Sequence, residues 1–261
     1  CGSNDLYEFY DRKAAPASSA PTFPTRAEAR NCRRGDIRLA LCRVCGFIQN
    51  VLFDPEVPEP ADSGLGPSTS SRSTRATGAL ARRLVERYNL RDKHVLEIGG
   101  DADFLRRLCE AGANHGLGIG AGFSAGSEAP LAAGDIRFIR EPYGEQHLNL
   151  PADFISCRQT LAHVGPVAEF ATRVRRALGE RRDPVVFFEV PDGRRILQNL
   201  AFWGIDYGRC SYFSLGSLAR LAREAGFDVF DLRLDTSRQD VLLEAVKANG
   251  GEGPYWDAED D

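Results

Sequence analysis

From residue 75 onward the chain alternates between two kinds of apolar spacing. The segments VLEIG, HGLGIG, IRFIRE, ADFISCR, VVFFEVP, FDVFDLRL and VLLEAV are short apolar or alternating runs and read as strands. Between them apolar residues recur three and four apart. Ala79, Leu80, Leu84, Val85 and Tyr88 do so ahead of the first strand, and DADFLRRLCEAG does so up to Gly112. VAEFATRVRRALGE places Phe170, Val174, Ala177 and Leu178 on one face, and SLARLAREAG ends at Gly226. This alternation predicts an α/β fold, a mostly parallel sheet covered by helices on both faces. The last two strands have no helix between them, so they predict an antiparallel pair at the sheet edge. In such sheets ligands bind beyond the carboxyl ends of the strands, so the residues following each strand carry the candidate chemistry.

The first 55 residues follow a different pattern. Strand-like runs cover residues 37–41 and 47–52, and a proline- and serine-rich interruption covers 14–24. So short a piece needs a staple to hold a core. Residues 55–73 are rich in Pro, Gly and Ser and read as a linker or mobile loop. The expected organisation is a small domain at 1–55, a linker at 56–74, the α/β domain at 75–248 and an acidic tail at 249–261.

Cysteine placement suggests the staple. Of seven cysteines, Cys1, Cys32, Cys42 and Cys45 lie in this first piece, and Cys42-Arg43-Val44-Cys45-Gly46 has the spacing of a knuckle that aims two thiolates at one tetrahedral ion. The expected site is a structural zinc held by Cys1, Cys42, Cys45 and either Cys32 or a further residue; the alternative is a cluster of reduced thiols. Cys109, Cys157 and Cys210 sit in apolar surroundings and read as small core residues.

Charge and composition narrow the function classes. A formal net charge of -4, with arginines scattered among acids, leaves no electrostatic footprint for nucleic acid. No apolar run reaches the length of a membrane span, and the start of the chain lacks a basic-then-apolar signal pattern, so the expectation is a cytosolic protein without a membrane partner.

Several strand-end segments together resemble one family. CRVCGFIQNVLFDP, VLEIGGDADFLRRLCEAGANHGLGIG, ADFISCRQTLAHV, VVFFEVPDG and DYGRCSYFSLGSLARLAREAGFDV resemble class I S-adenosylmethionine-dependent methyltransferases with an N-terminal zinc-binding domain. That bacterial group includes C-methyltransferases of deoxysugar and other natural-product pathways. The resemblance implies a Rossmann-like sheet, S-adenosylmethionine as cofactor and a small-molecule substrate, with a biosynthetic carrier or partner protein as a further associate.

The resemblance assigns the site residue by residue. Glu97, Gly99, Gly100 and Asp101 fall on the turn that receives the methionine part of the cofactor, where glycines let the backbone approach and the next helix offers its first amides. Compared with the family's E-x-G-x-G-x-G, this turn is one residue shorter and lacks the third glycine; Asp101 or Asp103 also reads as a helix N-cap. At Gly120 the family carries an acid for the ribose hydroxyls. Losing that hydrogen bonding costs ~1.5–3 kcal/mol, a ten- to hundredfold weaker grip. Glu141 is the candidate for the adenine edge, with a solvated loop acid as the alternative. Arg158 and His163 match the family segment R-H-x-L-E-H, while Gln159 and Ala162 depart from it.

Catalysis is assigned to His163, Glu189, Tyr207 and Arg209. His163 serves as a general base or holds a substrate hydroxyl, unless it only caps a turn. Glu189 is a candidate carboxylate base, unless it only bonds nearby amides. Tyr207-Gly208-Arg209 stands where the family has Y-E-H, and an arginine binds anions rather than taking protons. These departures leave three functions open: methyl transfer, a non-methylating reaction (cyclisation, elimination or hydrolysis) on the same fold, and a non-catalytic module in a biosynthetic assembly.

Overall fold

A computed structural model describes residues 1–17, 23–57, 71–99, 102–123 and 135–249. In chain order the elements are β1 (Leu6–Pro16), α1 (Arg26–Asn31), β2 (Arg34–Cys42), β3 (Ile48–Asn50), α2 (Ser71–Tyr88), β4 (His94–Ile98), α3 (Ala102–Gly112), β5 (His115–Ile119) and β6 (Ile136–Ile139). There follow β7 (Phe154–Arg158), α4 (Val167–Ala177), β8 (Val185–Pro191), α5 (Gly193–Gln198), β9 (Ser211–Tyr212), α6 (Leu215–Glu224), β10 (Phe227–Leu234) and β11 (Asp240–Lys247).

The main sheet has seven strands in the order β10-β11-β8-β7-β4-β5-β6. From β8 to β6 every neighbour is parallel, while β11 runs antiparallel to both β8 and β10. This is the α/β class with the antiparallel edge that the pattern predicts. From β4 the chain moves outward to β5 and β6, then crosses back to β7 on the other side. The carboxyl ends of β4 and β7 therefore form the switch point of the sheet.

Period-two alternation explains why both faces are covered. Leu96, Ile98, Ile155, Cys157, Val186 and Phe188 point to the side covered by α4 and α6. Their neighbours Val95, Phe154, Val185 and Phe187 join Leu84, Phe104 and Leu108 of α2 and α3 on the opposite side. Each fully buried Leu or Phe contributes about 1.5–3 kcal/mol relative to exposure, so shifting a strand by one residue would exchange the two faces at large cost.

The small sheet, in the order β1-β2-β3-β9, takes its fourth strand from far along the chain. Ile48 pairs with Tyr212 and Gln49 with Ser211. Its core joins Ile37 and Leu39 to Ile196, Tyr207 and Tyr212. The boundary expected at residue 55 thus cuts through a shared core. Of the expected linker, residues 71–74 already belong to α2, and 58–70 lie outside the described residues. The acidic tail lies outside them from residue 250. β1 is absent from the expectation because LYEFYDRKAAP is charged along both faces of an exposed edge strand.

Candidate active site

The turn after β4 closes against its neighbours. Glu97 is fully buried, and its charge helps push the Cys157 thiol upward, second to the effect of Cys157's own burial. Gly99 adopts φ 71, a left-handed conformation that favours glycine, and its N–H donates to the Ile119 carbonyl at 2.7 Å. A Cβ at Gly99 would stand 2.8 Å from Thr160 Oγ1, whose hydroxyl in turn donates to the Ile98 carbonyl at 2.7 Å. Gly100 and Asp101 lie outside the described residues.

The end of β5 packs directly on this turn. A Cβ at Gly120 would stand 2.8 Å from Gly99 Cα and 3.3 Å from a ring carbon of Phe123. Phe123 is buried against Phe138, with ring centroids 4.7 Å apart. Gly120 is therefore a close-packing position as well as an acid-free one. Sequence reading missed Thr160 and Phe123, because neither carries the charge or motif spacing by which a site residue is found.

Two expected site residues are bound to each other. Arg158 Nε and Nη2 donate to the two Glu189 oxygens at 2.8 and 2.9 Å, and the guanidinium carbon lies 4.2 Å from the Phe104 ring centroid. This is a buried, bidentate pair. Arg158, expected at the cofactor, and Glu189, expected as a base or as a bonded strand-end acid, are thus held by each other. Gln159, held at φ 58, donates its amide to Glu189 at 3.2 Å and to Asp240 at 3.0 Å. Burial and then the charge of Glu189 raise the Asp240 carboxyl to about 6. A carboxyl titrating near neutrality thus sits at this end of the sheet on Asp240, which no motif marks.

The remaining residues divide. Glu141 accepts from Gln146 at 3.1 Å and from His147 Nε2 at 2.9 Å. His147 Nδ1 accepts the Gly144 N–H, which places its own proton on Nε2. Glu141 is thereby anchored within its loop. His163 is exposed, and its Nδ1 stands 2.8 Å from the Gly208 carbonyl. A carbonyl only accepts, so Nδ1 carries the proton and Nε2 is left as the proton acceptor of the neutral ring. Arg209 donates Nη1 to the Gly204 carbonyl at 2.9 Å. Tyr207 is a correction. It is buried beneath Gly35 of the small sheet, and its hydroxyl accepts the Asp54 N–H at 3.0 Å, so it packs a core instead of facing a substrate.

The thiols form a separate centre. Sγ atoms of Cys1, Cys42 and Cys45 all lie within 4.8 Å of one another, with Cys1 and Cys42 at 3.6 Å. Tetrahedral zinc with bonds of about 2.3 Å needs sulfurs about 3.8 Å apart, which this spacing fits. Burial pushes the Cys42 thiol up, yet hydrogen bonds from the N–H groups of Cys45 and Val44 bring it below its ordinary value; burial dominates at Cys45 and raises it. Cys32 stands outside this cluster, its thiol donating to the Ala29 carbonyl at 3.3 Å, which corrects its expected role as a ligand. A cavity of about 290 Å³ adjoins the three thiols, not the turn at Gly99. Cys109, Cys157 and Cys210 are buried, with thiols raised chiefly by burial, to about 12 at Cys109 and about 11 at Cys210, as core residues rather than nucleophiles would be.

The family described as methyltransferase domain matches residues 32–232. Among solved structures, the magnesium protoporphyrin IX methyltransferase of Synechocystis with bound SAH is 15% identical, with 67% of this chain and 83% of that one covered at a TM-score of 0.47. The 1,6-didemethyltoxoflavin-N1-methyltransferase of Burkholderia thailandensis, bound to 1,6-didemethyltoxoflavin and S-adenosylhomocysteine, is 18% identical, with coverage of 73% and 94% at 0.47. No curated protein matches the sequence.

Proposed function

The chain belongs to the methyltransferase-domain family, and from that premise we propose that it moves a methyl group from S-adenosylmethionine to a small-molecule natural-product intermediate. The observation that carries the reading is the buried carboxylate of Glu97 beside the left-handed Gly99 at the switch point. A buried anion suits a cationic ligand, and a side-chain-free turn suits close approach to its methionine half. These residues fit that half; Gly120 itself offers no carboxylate for the ribose hydroxyls. When bound, the cofactor supplies an electrophilic methyl on its sulfonium.

The chain's own residues supply position and proton handling. His163, oriented through Nδ1 by Gly208, offers Nε2 to accept a proton from a substrate hydroxyl or amine. The Arg158–Glu189 pair, bridged by Gln159 to Asp240, ties the adjacent ends of β7 and β8 to each other and to β11. Proximity carries most of the rate in such a displacement, so the lack of a carboxylate base at Gly208 limits which substrates react more than whether transfer occurs.

Zinc held by Cys1, Cys42 and Cys45 would staple β2 and the first residues to each other, a structural role with the fourth position filled by water or another side chain. Calorimetry with S-adenosylmethionine tests the main reading. The expected affinity is in the range of about 10–100 μM, roughly ten- to a hundredfold weaker than with a ribose acid, and Glu97→Gln weakens it further. No heat of binding by folded protein rejects the reading. Metal analysis should return one equivalent of zinc, lost in Cys42→Ser.

A further inference from the structure

The turn following α5 holds the most exposed large apolar side chains among the described residues. Leu200, Phe202 and Trp203 are 81%, 75% and 73% exposed. Their backbone is nevertheless closed. Ala201 N–H donates to the Ile196 carbonyl at 2.9 Å, Gly204 N–H to Ala201 at 2.8 Å and Ile205 N–H to Phe202 at 3.0 Å. The Arg209 guanidinium donates to the Gly204 carbonyl at 2.9 Å. Leu200 is kept at φ 50, a conformation that costs a non-glycine residue about 1–2 kcal/mol. A hydrogen-bonded turn that spends strain to hold three large apolar groups in water is a surface built to meet something.

The charge around the turn indicates what it meets. Residues 193–205, GRRILQNLAFWGI, contain two arginines and no acid, within a chain of net charge -4. Arg194 is exposed and Arg195 half-buried, and neither side chain makes a hydrogen bond or ion pair among the described residues. Of the flanking acids, Asp192 caps the Arg194 N–H at 3.0 Å within reach of the charges of both arginines, and Asp206 accepts the Arg209 N–H at 3.0 Å. A stable protein interface needs about 800 Å² and 20–30 residues a side, far more than three protruding side chains provide. A bilayer surface conforms to a protrusion, taking Trp, Phe and Leu at the headgroup–acyl boundary and arginines at the phosphates.

We propose that Leu200, Phe202 and Trp203, flanked by Arg194 and Arg195, form a peripheral docking knob for an anionic lipid surface. No helix of the described residues is long and apolar enough to cross a membrane, so the contact is one of lying on the bilayer. The expectation of no membrane partner came from the lack of a spanning-length apolar run and of a signal pattern, neither of which registers so short a segment. The inference stands independently of methyl transfer.

The whole protein is sedimented with vesicles of phosphatidylcholine mixed with phosphatidylglycerol, and with vesicles of phosphatidylcholine alone. Binding to the mixed vesicles is expected, at least about tenfold above phosphatidylcholine alone. Phe202→Ala with Trp203→Ala should weaken it at least about tenfold. Arg194→Gln with Arg195→Gln should weaken it several-fold and flatten its salt dependence. In a Trp256→Phe background, Trp203 emission should shift to the blue on adding mixed vesicles. The three variants change exposed or half-buried side chains or the tail, and each is checked by its thermal melt. Absence of vesicle binding overturns the proposal. So does binding that survives the aromatic double variant, or a Trp203 blue shift that arises from self-association without lipid.

Discussion

At the residue scale, Gly120 separates what a motif says from what a structure permits. By motif it is a missing acid; by packing it is a position with a backbone atom 2.8 Å from any added Cβ. Gly120→Asp, the substitution that would restore the family pattern, is therefore expected to fail as a repair. Overpacking against Gly99 and Phe123 should destabilise by about 1–3 kcal/mol, read as a lower melting temperature, without tightening S-adenosylmethionine in calorimetry. A tighter complex at unchanged stability would contradict the packing argument. The roles of single residues were the least legible part of the sequence. Tyr207 reads as a site residue because it sits in a motif, yet Gly35, on a strand near the start of the chain, leaves the space its ring fills. Arg158 and Glu189 read as separate candidate site residues because their pairing depends on β7 and β8 lying side by side, which no local spacing records.

At the element scale, strands β4, β5, β7, β8 and β11 were legible because burial on both faces demands nearly continuous apolar runs. β1 was not legible, since an exposed edge strand places no such demand on its side chains. The strand ends are tied by groups on three strands or strand termini: Glu189 on β8, Gln159 after β7 and Asp240 at the start of β11. That clamp has a pH signature. Asp240 is raised from 3.8 to about 6, first by burial and then by the charge of Glu189, against the opposing effects of Gln159 and Arg158; Asp235 adds a further raising charge. Below about pH 4 the folded and unfolded carboxyls are both protonated, so no penalty exists; between about 4 and 6 only the unfolded form ionises freely, and stability falls as pH rises. Above about pH 6 the folded state bears the whole cost, roughly 2–3 kcal/mol. Asp240→Asn keeps an acceptor for Gln159 and should melt above the wild type at pH 8 but level with it near pH 4. A variant less stable than wild type at pH 8 would show that the ionised carboxylate holds the clamp together.

At the scale of the whole molecule, the two sheets depend on each other through residues far apart in sequence. β9 completes the small sheet, and Ile196 and Tyr207 fill its core from the segment that also carries the exposed knob and Arg209. Phe47 packs on Phe213 with centroids 5.2 Å apart, and Phe213 N–H and carbonyl groups lie against Gly193, whose own N–H donates to the Phe213 carbonyl at 2.7 Å. Removing the first piece would therefore uncover Tyr207, Tyr212 and Ile196 and leave the Gly208 carbonyl that orients His163 on an unsupported loop. A fragment of residues 56–261 is expected to lose the cooperative melt of the full chain and to self-associate in size-exclusion chromatography, because several buried aromatic and aliphatic side chains, each contributing about 1.5–3 kcal/mol when covered, become surface. If that fragment instead stays monodisperse and melts in one transition at the wild-type temperature, the small sheet is an appendage and the shared core carries none of the stability assigned to it here.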